Sequence, residues 1–185
     1  MSLWWVFGFF FLERGFELGL ARRNRRRQLA RGGIEVAPQS YRSLVVLHLL
    51  FFVSLLIESY PWRIPLDLFT FFCLVMLVLT QSLRYWCIVT LGDQWNTRII
   101  VQPQTPVKRS GPYRLLRHPN YLAVTLEIAV LPLLMRAPVT LFIFTLANLA
   151  VLRRRITLEE AALREHTDWG KPASPNPAVN RKLPE

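Results

Sequence analysis

Residues 111–121, Gly-Pro-Tyr-Arg-Leu-Leu-Arg-His-Pro-Asn-Tyr, place an imidazole, two guanidiniums and two phenols within eleven positions. A second polar group, Glu159-Glu160, lies 38 residues beyond Tyr121, past an apolar stretch and the triplet Arg153-Arg154-Arg155. Ionisable groups at the edge of hydrocarbon are costly, and their retention points to function. The set has the chemistry of a nucleoside or sulfonium pocket. A carboxylate accepts ribose hydroxyls or offsets a cation. Tyr113 and Tyr121 can stack on a base or pack around a positively charged sulfur. Pro119 disfavours helical geometry at His118 and suits the first position of the next helix. The residues before it then line a helix N-terminus, where free N–H groups favour anions. Gly111-Pro112-Tyr113 makes the turn into the cluster, and the strip from Leu91 to Thr97 adds hydrogen-bonding side chains and Trp95.

The positioning elements are membrane helices. The 185-residue chain is 52% hydrophobic, and that content comes in blocks, not in amphipathic periods. Apolar segments span about 3–21, 43–60, 66–89, 120–135 and 137–152, with Pro61-Trp62-Arg63-Ile64-Pro65 as a tight turn between the second and third. The last two read as a hairpin broken at Arg136-Ala137-Pro138, each reaching about 24 Å at 1.5 Å per residue. Pro132 is expected to kink the first of them. Residues 22–27 read as a basic loop, 90–119 as irregular, 156–169 as an amphipathic helix, and the Pro-rich tail 171–185 as loosely ordered. The N-terminus lacks early basic residues and a small-residue cleavage site, so it reads as a span, not a signal peptide. The expected fold class is therefore all-α and polytopic. It comprises a three-helix membrane region (1–89), a cofactor-binding and catalytic region with a membrane hairpin (90–170), and the tail.

A formal charge of +11 invites a nucleic-acid reading, but the basic residues flank apolar segments and do not line one soluble face. Orientation accounts for them. With five spans and the N-terminus outside, 20 of the 23 Lys and Arg fall on inner segments. This N-out, C-in arrangement puts residues 90–119 and 153–170 on one cytoplasmic side, where the Arg-His-Pro cluster and the Glu pair can meet across the open end of the hairpin. Attraction to anionic head groups is a secondary role for the basic runs. Cys73 and Cys87 show no metal-ligand spacing and read as buried small hydrophobes.

Other residues keep two readings. Glu13, Arg14 and Glu17 lie inside the first span, with Glu13 and Glu17 on one helical face. They either look into protein or a wet cavity, or mark a helix end with snorkelling side chains. Glu127 and Asn148, each mid-span, either line the pocket or make interhelical hydrogen bonds. His48 and His166 carry no signal.

The run Gly111-Pro112-Tyr113-x-x-x-Arg117-His118-Pro119-x-Tyr121, followed by Arg155-x-x-x-Glu159-Glu160-x-x-Leu163, resembles the isoprenylcysteine carboxyl methyltransferase family. That resemblance implies an integral-membrane methyltransferase using S-adenosylmethionine. It implies that Tyr113, Leu116, His118, Pro119, Tyr121 and Glu159 enclose the cofactor, and that Arg117, Arg155 and Glu160 serve the acceptor oxygen. It implies no metal. Glu17-Leu-x-x-Ala21-x-Arg23-Asn24 and Gly92-x-x-Trp95-Asn96-Thr97 are similar to a bacterial branch found beside type III polyketide synthases. That likeness implies an inner-membrane enzyme that O-methylates lipophilic alkylpyrones or alkylresorcinols. Two departures stand out. Ala123 replaces a Gly common in the family, and His166-Thr167-Asp168-Trp169-Gly170 replaces a closing Gly-x-x-Tyr-x-x-Tyr, which argues against a prenylcysteine acceptor. Rival acceptors are prenylated cysteines, isoprenoid acids and phospholipid amines. Rival classes are a nicotinamide-dependent membrane reductase and a non-catalytic scaffold.

Overall fold

The computed structural model describes residues 4–170, so the expectation of a loosely ordered tail at 171–185 lies outside the described residues. Five long helices are present, α1 (Trp4–Ala30), α2 (Pro38–Glu58), α3 (Leu68–Leu91), α4 (Pro119–Leu134) and α5 (Pro138–His166), one for each apolar segment. By length and composition α2 and α3 are able to cross a membrane, and α4 is a shorter apolar helix.

The boundaries follow local chemistry. Proline opens α2, α4 and α5 at the first turn, where its missing N–H costs nothing. Asp67 caps α3 by accepting from Thr70 N at 2.8 Å, and it also takes Arg136 at 2.6 Å, tying the α3 start to the α4–α5 corner. Pro132 lies inside α4, and its carbonyl accepts from Ala137 N at 2.8 Å in the turn to α5.

Two expected breaks do not occur. The Arg run at 22–27 is not a loop, because α1 continues through it to Ala30. Arginine is a good helix former, and the segment contains no Gly or Pro until Gly32-Gly33. Its inner face is anchored: Asn24 Nδ2 donates to Gly92 O (3.0 Å) and Trp95 O (2.8 Å), and Gln28 Nε2 donates to Asp93 O (2.7 Å). Likewise the fifth apolar segment and the amphipathic stretch after it form one helix, α5, since nothing between Leu152 and His166 interrupts the backbone.

The segment 90–119 is mostly irregular, but it holds a two-residue strand, β2 (Ile100–Val101), paired antiparallel with β1 (Ile34–Glu35). Glu35 there receives Arg98 (2.5 Å) and Arg25 (2.8 Å), and Arg98 lies 4.1 Å over the Tyr41 ring. The apolar core runs through the helices, with Phe10, Phe51, Leu55, Ile128, Leu131 and Leu134 fully buried. α3 packs on α4, α4 on α5, and α5 on α2, whereas α1 approaches the turn after α3 most closely. Long side chains bridge the remaining gap between α1 and its neighbours, and a cavity opens there.

Candidate active site

The polar end of that cavity is built on the α4–α5 hairpin. Gly111 starts the turn Gly111–Arg114 at φ 55°, and a Cβ there would lie 2.5 Å from Thr90 Oγ1, so only glycine brings the chain this close to α3. The turn delivers Tyr113 to the cavity. Burial above all, with Cys87 and Glu159 nearby, pushes the Tyr113 phenol well above its ordinary pKa, so it stays a neutral donor. His118 then leaves helical geometry (φ −133°, ψ 60°) and Pro119 opens α4, as the Arg-His-Pro spacing predicts.

The two sequence patches meet. Tyr121 Oη donates to Glu159 Oε2 at 2.5 Å, and His118 Nε2 lies 3.1 Å from Glu160 Oε1. His118 packs between Tyr121 and Trp169, at ring separations of 5.6 and 5.7 Å. The end of α5 folds back over the 103–109 loop: Val107 N donates to Asp168 Oδ1 (2.8 Å) and Gln104 N to His166 O (3.0 Å). The segment that departs from the family pattern thus carries Trp169 to the cavity wall.

The expected site residues divide into groups. Tyr113, Arg117, His118, Tyr121, Arg155 and Glu159 all line one cavity of about 1020 Å³. Pro119 is buried and outside the lining. Leu116 is 42% exposed and outside the lining. Glu160 is also outside it, held between His118 and Arg164 Nη2 (2.6 Å), which suits it to orient the imidazole. Arg155 is buried, donating to Thr97 O (2.9 Å) and Ser40 Oγ (3.2 Å), and lies beside the Tyr121 phenol. It therefore braces the cluster against α2 and the 90–119 segment.

Deeper in the cavity stands a charged network that local spacing reveals only in part. Arg84 lies within α3, inside the apolar segment expected at 66–89, and its guanidinium pairs with Glu17 through Nε and Nη2 (2.7 Å). Arg14 pairs with Glu17 (2.6 Å) and with Glu127, and Arg84 Nη1 lies 3.5 Å from Glu127. Glu13 and Glu17 are buried, so the acidic face of α1 looks into protein. Glu127 takes the interhelical role, and Asn148 Nδ2 lies 3.4 Å from Thr125 Oγ1. His48 also borders the cavity, and Arg14, Glu127 and Arg84 are near enough to act on it electrostatically. A polar residue mid-way along an apolar span was the available signal for it. Beyond this level the walls turn apolar, with Phe7, Phe11, Phe52, Val53 and Leu56.

The cavity is therefore amphipathic along its length. Its polar end joins a carboxylate (Glu159), aromatic faces (Tyr113, Tyr121, Trp169) and cations (Lys108, Arg117), a donor and acceptor set that fits a sulfonium nucleoside bearing an amino acid. The two motifs of the front half also form one unit, since Asn24 and Ala21 hydrogen-bond Gly92, Trp95 and Asn96.

A sequence profile described as the isoprenylcysteine carboxyl methyltransferase (ICMT) family matches residues 73–165, which carry both polar motifs. The chain is similar to YpbQ, an uncharacterized protein of Bacillus subtilis, at 34% identity over 164 residues, covering 89% of this chain and 98% of the relative. It is also similar to an uncharacterized protein of Haemophilus influenzae, at 25% identity over 151 residues, covering 81% and 88%. No solved structure matches significantly.

Proposed function

The chain belongs to the isoprenylcysteine carboxyl methyltransferase family, a family of membrane methyltransferases, and on that premise we propose an S-adenosylmethionine-dependent O-methyltransferase with a lipophilic acceptor, an alkylpyrone or alkylresorcinol being favoured. The observation that carries this reading is the closure of the polar end of the cavity by Tyr121–Glu159 and His118–Glu160. We further propose five spans, N-out and C-in, with this polar end facing the cytoplasm of a bacterial inner membrane.

When bound, the cofactor supplies an electrophilic methyl group whose departure leaves a neutral thioether. Glu159, fixed by Tyr121, accepts hydrogen bonds from the nucleoside or offsets the sulfonium charge. Tyr113, His118 and Trp169 wall the site, and Lys108 and Arg117 meet a carboxylate. Arg155 holds the polar end to α2 through Ser40. Much of the rate then comes from alignment and exclusion of water, effects worth up to about 7–11 kcal/mol in well-oriented systems. The apolar half accepts an alkyl chain arriving from the bilayer.

The test is transfer of an isotopically labelled methyl group to membrane lipids, comparing cells with and without the gene. A gene-dependent labelled ether on an alkylated phenol or enol supports the proposal. Label found only in a prenylcysteine or isoprenoid ester would move the assignment to a carboxyl acceptor. Unlabelled lipid in both strains would reject methyl transfer.

A further inference from the structure

We propose that His48 is a general base within the membrane: its Nε2 takes the proton of a neutral phenol or enol hydroxyl held against the Arg14–Glu17–Arg84–Glu127 network. The inference rests on the methyltransferase reading and specifies the acceptor class and proton acceptor within it.

The ring nitrogens set the geometry. His48 Nδ1 lies 2.8 Å from Leu44 O, one turn back on the same helix. A carbonyl oxygen only accepts, so Nδ1 carries the hydrogen, and in the neutral ring the lone pair is on Nε2. The tautomer is thus fixed by the helix itself.

Depth matches the order of groups on an amphipathic acceptor. Ser40 marks the level of Arg155, and His48 is two turns further along α2, about 12 Å toward the membrane centre. Glu127 is about 9 Å beyond Tyr121 along α4, in the same direction. His48 and the network therefore share a level, between the polar end and the apolar walls at Phe7, Phe52 and Leu56, along one cavity. A ring sits at the middle level, its chain beyond, and its reacting edge toward Glu159.

Charge selects the acceptor. Each guanidinium already faces two carboxylates, and Glu13 adds a third buried acid. The network offers no net positive charge to a fixed anion, which disfavours a carboxylate acceptor. A neutral hydroxyl pays no such penalty on arrival, and Glu127 is the acid near enough to offset the charge of the imidazolium formed afterwards. In the step, oxygen bonds to the methyl carbon of the sulfonium donor, and the carbon–sulfur pair stays on sulfur. The O–H pair stays on oxygen, and the proton passes to Nε2.

The experiment uses the full chain in lipid nanodiscs with two acceptors, a 5-alkylresorcinol and an alkylated nitrophenol already ionised at the assay pH. For His48→Gln we expect kcat on the resorcinol to fall about 10²-fold or more, and the rate on the nitrophenol to stay within about threefold of wild type. S-adenosylhomocysteine affinity should be unchanged. A second readout needs no methyl donor: below the nitrophenol's own pKa, the wild type should raise its phenolate absorbance on binding, and His48→Gln should not. His48→Asn, which also lacks a basic lone pair, serves if the Gln variant fails to insert. Equal losses on both acceptors, an undiminished resorcinol rate, or an unaltered phenolate band would overturn the role of His48. A wild type that binds S-adenosylhomocysteine but methylates only carboxylates would overturn the acceptor class, and one that binds no S-adenosylhomocysteine would reject the underlying methyltransferase reading.

Discussion

Replacing Arg84 with Met should destabilise the protein far more than loss of a surface ion pair. Arg84, Glu17 and Glu127 are 4%, 2% and 2% exposed, so this is a buried network. Removing the guanidinium deletes two hydrogen bonds to Glu17 and the 3.5 Å contact to Glu127. It leaves Glu13, Glu17 and Glu127 sharing Arg14 as the remaining cation of the network. Breaking a buried pair by removing one partner costs about 3–5 kcal/mol, against roughly 0–1 kcal/mol for an exposed pair. At about 2–4 °C per kcal/mol for a chain of this size, Tm should fall by about 10 °C. The double variant Glu17→Gln/Arg84→Met removes one charge of each sign and leaves Arg14 with Glu127. It should recover about 1–3 kcal/mol of the loss as a coupling energy. Thermal unfolding in one detergent, for wild type, both singles and the double, measures all four corners. A loss below about 1 kcal/mol for Arg84→Met, or additive singles, would refute the view that the network is a coupled, desolvated unit.

Two further outcomes follow from contacts in the segments between the helices. Burial raises the Glu35 carboxyl pKa, but Arg98 and Arg25 outweigh it and hold the group below its ordinary value of 4.5. A depressed folded pKa gives stability that is full above the unfolded value and is lost as pH falls through the folded one. Melting curves of wild type should therefore decline more steeply below about pH 4.5 than those of Glu35→Gln. Gly111→Ala meets both a positive φ and Thr90 Oγ1 at 2.5 Å. It should cost about 1–3 kcal/mol and weaken S-adenosylhomocysteine binding, because the same turn places Tyr113; titration calorimetry and thermal unfolding check both.

Much of the polar end was legible because its signals are local. Pro119 marks a helix start wherever it falls, and a Gly-Pro-Tyr turn followed by Arg-His-Pro needs no distant partner to be read. The juxtaposition with Glu159 followed from hairpin connectivity alone. The Arg run of α1 misled, since a string of cations resembles a loop when Asn24 and Gln28 are not known to be pinned to Gly92, Trp95 and Asp93. β1 and β2 are two residues each, too short for an alternating pattern to register. The charged network was half visible. Glu13 and Glu17 announce a shared face through their four-residue spacing, but Arg84 and Glu127 lie on other helices, and pairing across helices leaves no periodic trace. His48 stands out in the sequence only as a polar residue mid-way along an apolar span, and the groups that surround it in space leave no mark on its neighbours in the chain.

Everything proposed for this protein requires a sulfonium nucleoside at the junction of α4 and α5. Titration of S-adenosylhomocysteine and of NADPH into wild type and Glu159→Ala, in the same detergent, tests this directly. The account predicts saturable S-adenosylhomocysteine binding by wild type, weakened at least about 10-fold by loss of the charged hydrogen-bond acceptor, and no saturable NADPH binding. NADPH binding without S-adenosylhomocysteine binding, or equal S-adenosylhomocysteine affinity in both proteins, would contradict it.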